Sequence, residues 1–193
     1  MADGNSNHGH VCPVWVGYLL VSPLRRWLQN PEKILKPYVR EGMKVLDFGC
    51  AMGFFSLAFA RMVGPTGQVV CVDLQEKMLN SLNKRAAKAG LSEIIETRRC
   101  TTDSAGLDDL SEAIDFGLLM AVVHEVSDIG GLFSDIHKSI KPGGRILIAE
   151  PKAHVSEKEF SETISIAQRS GFEVIDYPKI KRTHNVLMSK GSQ

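Results

Sequence analysis

Two short stretches limit what this chain can become more than any other. The first is Val45-Leu46-Asp47-Phe48-Gly49-Cys50-Ala51-Met52-Gly53-Phe54-Phe55; the second is the apolar run Val69-Val70-Cys71-Val72, which ends in Asp73. A short continuous apolar run bounded by turn residues fits a strand buried on both faces. The first stretch therefore reads as a buried strand, a glycine turn and a helix start, and the second as a buried strand whose acid lies at the same end of the sheet. Small or absent side chains at Gly49, Ala51 and Gly53 let the backbone turn sharply and let a ligand lie against main-chain N–H groups. Asp73, at the carboxyl end of its strand, is placed to accept hydrogen bonds from vicinal ribose hydroxyls. Together these features make a nucleoside-binding half-fold.

The dinucleotide fingerprint requires a further glycine where this chain has Phe54, because the pyrophosphate and the close strand–helix packing both need that room. Asp47, just before the turn, would repel a pyrophosphate but suits a cationic amine or a sulfonium. The residues favour S-adenosylmethionine over a nicotinamide dinucleotide as the ligand.

In these positions the chain resembles the class I S-adenosylmethionine-dependent methyltransferases, whose first motif, hydrophobic-hydrophobic-Asp-x-Gly-x-Gly-x-Gly, is matched from Val45 to Gly53. The likeness continues at Asp73, at Asp103-Ser104-Ala105-Gly106-Leu107, at Ile114 to Asp128, and at Ile140-Lys141-Pro142-Gly143-Gly144 running into Arg145 to Glu150. The segment around His124-Glu125-Val126 is most similar to the small-molecule branch that includes quinone-ring and arsenite methyltransferases. The resemblance implies S-adenosylmethionine as cofactor, held by Asp47, Gly49, Cys50, Ala51, Gly53, Asp73, Leu74, Asp103, Ser104 and Ala121, with Asp103 or its neighbouring amide reading the adenine. It also implies a Rossmann-like α/β fold: a seven-stranded sheet, mostly parallel, with a C-terminal antiparallel hairpin and helices on both faces. One departure is Ala51, which replaces the middle glycine. Its methyl group costs little at negative φ and more at positive φ, so cofactor affinity rather than fold is at stake.

Size and charge narrow the partners. The 193 residues, 44% hydrophobic, suit a single sheet domain over residues 41–193, preceded by an N-terminal arm over residues 1–40. A net charge of +1 offers no broad attraction for a phosphate backbone, so a small-molecule substrate is expected in preference to nucleic acid. Cys12, Cys50, Cys71 and Cys100 have no metal-like spacing and read as free thiols of a reducing, cytoplasmic compartment. No apolar run is long enough to cross a membrane, and the N-terminus lacks a secretory pattern.

Along the chain, Asn30-Pro31-Glu32 has the cap, first-turn proline and acid of a helix start. Helices are expected over Phe54–Met62, Glu76–Ala89 with Gly90 as cap, and about Gly130–Ile140, with a short one near Leu107–Ala113. A last helix opens on the capping box Ser156-Glu157-Lys158-Glu159 and stops at Gly171. Strands are expected near Ile94–Cys100, Phe116–Val123, Ile146–Ala149, Phe172–Tyr177 and His184–Ser189, the last two as a hairpin.

Several residues admit two readings. His124, at the carboxyl end of the fourth strand, is either a general base for the acceptor or a histidine that shapes the strand exit. Glu125 shares that ambiguity, and Asp103 is either an adenine contact or a solvated loop acid. His8, His10 and Cys12 form an alternating cluster that reads as a polar tail or, if ordered, a metal site; the tail is preferred and no metal is expected. The apolar stretch from Val14, followed by Arg25, Arg26 and Trp27, reads as a lid with Tyr18 in the cofactor wall, or as a membrane-surface element over residues 14–28. Methyl transfer to a small molecule leads. A cofactor-binding protein without catalysis and a nicotinamide-dependent oxidoreductase are the alternatives, and no Tyr-x-x-x-Lys spacing supports the last.

Overall fold

A computed structural model describes residues 29–191. His8, His10, Cys12, Tyr18 and the whole 14–28 stretch lie outside the described residues. The ordered elements are α1 (Pro31–Leu35), β1 (Lys44–Phe48), α2 (Ser56–Val63), β2 (Gln68–Asp73), α3 (Glu76–Ala89), β3 (Ile95–Arg99), β4 (Ile114–Met120), a 3-10 turn (Val123–Glu125), α4 (Ile129–Ser139), β5 (Ile140–Pro151), α5 (Glu157–Arg169), β6 (Phe172–Asp176) and β7 (Thr183–Lys190).

The strands form one sheet in the order β3-β2-β1-β4-β5-β7-β6. The first five in sequence run parallel, while β7 pairs antiparallel with both β5 and β6. This is the mostly parallel seven-stranded sheet with an antiparallel C-terminal pair that the sequence leads one to expect. The order reverses between β1 and β4, the kind of point at which open α/β sheets bind ligands outside the strands' carboxyl ends.

Alternate residues of each strand feed opposite layers, which is why the strands read as unbroken apolar runs. Val45, Val69, Cys71, Phe116 and Leu118 pack with Leu35 and Tyr38, with Phe59 of α2, and with Leu79 and Leu82 of α3. Leu46, Val70, Val72, Leu119 and Ile148 pack on the other face with Phe133 and Ile136 of α4 and Phe160 of α5. Each such side chain contributes roughly 1.5–3 kcal/mol on burial, so the two layers carry the fold. Tyr38 stacks on Phe116 with ring centroids 5.4 Å apart, tying the segment after α1 to the centre of the sheet.

Local signals place most elements. Gln75 and the left-handed Gly90 bound α3, and Ser156 with Glu159 closes the capping box of α5. Apart from shifts of one or two residues at other element ends, four places differ from expectation. Helix α2 begins at Ser56, not Phe54, because Ala51 (φ 46°) and Gly53 (φ 81°) keep residues 51–55 in a turn. Leu107–Ala113 forms turns instead of a helix. Strand β4 ends at Met120, since Ala121 adopts φ 59° and breaks the strand before Val123. Strand β5 starts at Ile140, with a register shift that loops out the residues around Gly143-Gly144.

Candidate active site

The turn after β1 is built by the strands on either side of it. The Val72 carbonyl accepts hydrogen bonds from the amides of both Gly49 and Cys50, at 2.9 and 3.0 Å, which folds the chain back over β2. The Ala51 amide then donates to Asp73 at 2.9 Å, and the Gln75 amide donates to the other oxygen of the same carboxylate at 2.8 Å. Gly49 has φ 74°, and a Cβ there would lie 2.5 Å from Val122, so only glycine lets the exit of β4 pack against this turn. Gly53 has φ 81°, and its missing Cβ leaves the space taken by Leu82 of α3. That glycine makes room for a side chain of α3.

Asp47 is 3% exposed and accepts a hydrogen bond of 2.5 Å from the hydroxyl of Ser56, the first residue of α2. Burial raises the Asp73 carboxyl above its ordinary range, against the opposing pull of its two amide donors. Burial, followed by contact with Cys71, pushes the Cys50 thiol well up, so it stays protonated and is a poor nucleophile.

A cavity of about 210 Å³ opens at the carboxyl ends of β1, β2 and β4. Asp47, Asp73 and Asp103, from three separate stretches of chain, all line it, as do Gly49, Cys50, Ala51, Leu74, Ser104 and Ala121. Of the described residues expected to hold a cofactor, only Gly53 is not in the lining. Met78, Gln75, Val122, Glu125, Val126, Asp128 and Asp135 complete much of the wall without having been assigned a cofactor role from sequence. Lys, Arg and His side chains are absent from the described lining, whereas six carboxylates are present.

His124 is placed differently from its neighbours. It is not in the cavity lining, although Glu125 is. Its Nδ1 hydrogen-bonds with Glu150, and its ring stacks on His154 with centroids 5.9 Å apart. Glu150 sits at the end of β5 and is 1% exposed. Sequence reading gave Glu150 no role, yet a signal was present: Ile146-Leu147-Ile148-Ala149-Glu150 repeats the pattern of an apolar strand ending in an acid that marked Asp73.

Residues 39–188 match the family model of a methyltransferase domain. The chain is 32% identical over 137 residues to a ubiquinone biosynthesis O-methyltransferase of Rhizobium johnstonii, covering 71% of this chain and 51% of that protein. It is 32% identical over 126 residues to a ubiquinone/menaquinone biosynthesis C-methyltransferase of Saccharophagus degradans, covering 63% and 49%. The chain thus spans about half the length of these curated relatives. The crystal structure of a SAM-dependent methyltransferase from Aquifex aeolicus superposes with a TM-score of 0.83 at 26% identity, covering 93% of this chain and all of that one.

Proposed function

From the premise that this chain belongs to the class I S-adenosylmethionine-dependent methyltransferases, we propose that it transfers the cofactor's methyl group to a small-molecule acceptor. The observation that carries this reading is the convergence of Asp47, Asp73 and Asp103 on one cavity beside the Gly49 turn. The cofactor's chemistry fits these donors. A carboxylate offers about four lone-pair sites, and Asp73 spends one on each of two amides, which leaves capacity for two ribose hydroxyls. Asp47 supplies negative charge for the cationic methionyl part, and the Asp103-Ser104 loop faces the same space for the base. When bound, S-adenosylmethionine supplies an electrophilic methyl on a sulfonium.

The protein's own contribution is alignment and exclusion of water. Holding two reactants in near-attack geometry lowers a barrier by about 7–11 kcal/mol, whereas a positioned base adds about 10²–10⁴-fold in rate. The acceptor would lie against Val122, Glu125 and Val126, beyond the carboxyl end of β4. Glu125 and Asp128 are then the titratable groups on that wall, and His124 lies behind it. The protonated state of Cys50 argues against a thiolate role in the reaction. Buried thiols at Cys50, Cys71 and Cys100 support a cytoplasmic setting, and among the described residues no helix is long and apolar enough to cross a membrane.

Titration calorimetry with S-adenosylhomocysteine tests the proposal. Binding in the micromolar range is expected, and Asp73→Asn should weaken it by about tenfold or more, the worth of charge-assisted hydrogen bonds to the ribose. Absence of binding by the wild-type protein would sink the reading.

A further inference from the structure

Glu150 closes β5 inside the molecule, where a carboxylate is costly unless its oxygens are hydrogen-bonded. Both are. Oε1 accepts from the amides of Val122 and Val123, at 3.1 and 3.0 Å, and Oε2 meets Nδ1 of His124. All three partners come from one short segment, the exit of β4.

That segment needs holding. Ala121 is forced to φ 59°, which an L-residue adopts only under constraint. The kink turns the chain out of β4 and into the 3-10 turn, and it brings Val122 into the space that a Cβ on Gly49 would need. Ala121, Val122, Glu125 and Val126 then form one wall of the cavity, while Glu150 and His124 stand behind it. The groups around the His124 ring are Glu150 from β5, Glu125 next in the chain and His154 beyond β5.

Building on the methyl-transfer reading, we propose that Glu150 is a positioning residue for the cavity: through the Val122 and Val123 amides and the His124 ring, it clamps the strained exit of β4 against the Gly49 turn. A purely structural Glu150 would change stability alone. A positioning Glu150 changes ligand affinity in protein that is still folded.

The test is S-adenosylhomocysteine affinity by calorimetry in wild type, Glu150→Ala and Glu150→Gln, each shown to be folded by circular dichroism melting. Glu150→Ala leaves two buried amides without an acceptor and should weaken binding by about tenfold or more. Glu150→Gln retains an acceptor oxygen for those amides and should recover affinity to within about threefold of wild type, while the His124 ring, followed by NMR, titrates at lower pH. A folded Glu150→Ala that binds as wild type does, or a Glu150→Gln as weak as Glu150→Ala, overturns the proposal. If Glu150→Ala does not fold, the reciprocal effect in wild type decides: saturation with S-adenosylhomocysteine should slow hydrogen exchange of the Val122 and Val123 amides, and unchanged exchange overturns the clamp. Wild type that binds no S-adenosylhomocysteine defeats the methyl-transfer reading itself, a result distinct from wild-type binding that the Glu150 variants leave untouched.

Discussion

At Ala51 the fold imposes a conformation the residue resists. With φ at 46°, its Cβ carries the left-handed penalty of roughly 1–2 kcal/mol, against about 0.5–1 kcal/mol of extra chain freedom that glycine would lose there. Ala51→Gly should therefore stabilise the protein by about 0.5–1 kcal/mol and raise the unfolding temperature by about 1–4 °C for a chain of this size. Differential scanning calorimetry reads the shift, and a lower midpoint would refute it. S-adenosylhomocysteine affinity should stay equal or tighten, since the variant only widens the approach to the turn. The sequence alone states the dilemma at this position without its sign, because the turn is held from β2, where the Val72 carbonyl takes the amides of Gly49 and Cys50 and Asp73 takes that of Ala51. Gly53 teaches the same lesson: its spacing gives no hint that a Cβ there would meet Leu82 of α3.

Elements whose boundaries are written locally were legible. Helix α5 opens where Ser156 and Glu159 cap each other, with the Ser156 amide donating to the Glu159 carboxylate at 2.8 Å and the Ser156 hydroxyl accepting from the Glu159 amide at 3.3 Å. Ser156→Ala should cost about 1 kcal/mol in urea unfolding and leave S-adenosylhomocysteine affinity unchanged, since none of the capping residues lines the cavity. A change in affinity would mean that α5 is coupled to the site. The end of β4 was not legible. The apolar run Leu118 to Val123 continues through the break, and the carboxylate that holds the break comes from the end of β5. No window along the sequence contains both. For the same reason the sequence leaves His124 between a base and a residue that shapes the strand exit, since the Glu150 that its Nδ1 meets lies 26 positions further along the chain.

The whole molecule registers these contacts as a pH dependence. Hydrogen bonding with Glu150, opposed by burial, raises His124 above its ordinary value. A histidine raised in the folded state stabilises most when protonated in both states, so its contribution is fully present below about pH 6.5 and disappears as pH rises through the raised folded value. Burial lowers His137 instead, which gives the opposite sign in a lower window: that contribution grows as pH rises through the lowered folded value toward about 6.5. Comparing thermal unfolding of wild type and His124→Gln across this range isolates the first effect. The wild-type advantage should be greatest in mild acid and shrink above neutrality, and a difference independent of pH would contradict the assignment.

The sheet order carries a consequence for biosynthesis. Strand β7, although last in sequence among the described strands, lies inside the sheet between β5 and β6. While a ribosome is still making residues 183–190, β5 already has β4 on one side and a bare row of N–H and C=O groups on the other. β6 cannot cover that row, because its own ladder is made to β7. A nascent chain at this stage is open to pairing with any extended segment nearby, and it becomes safe only when β7 slides in and seals both neighbours at once.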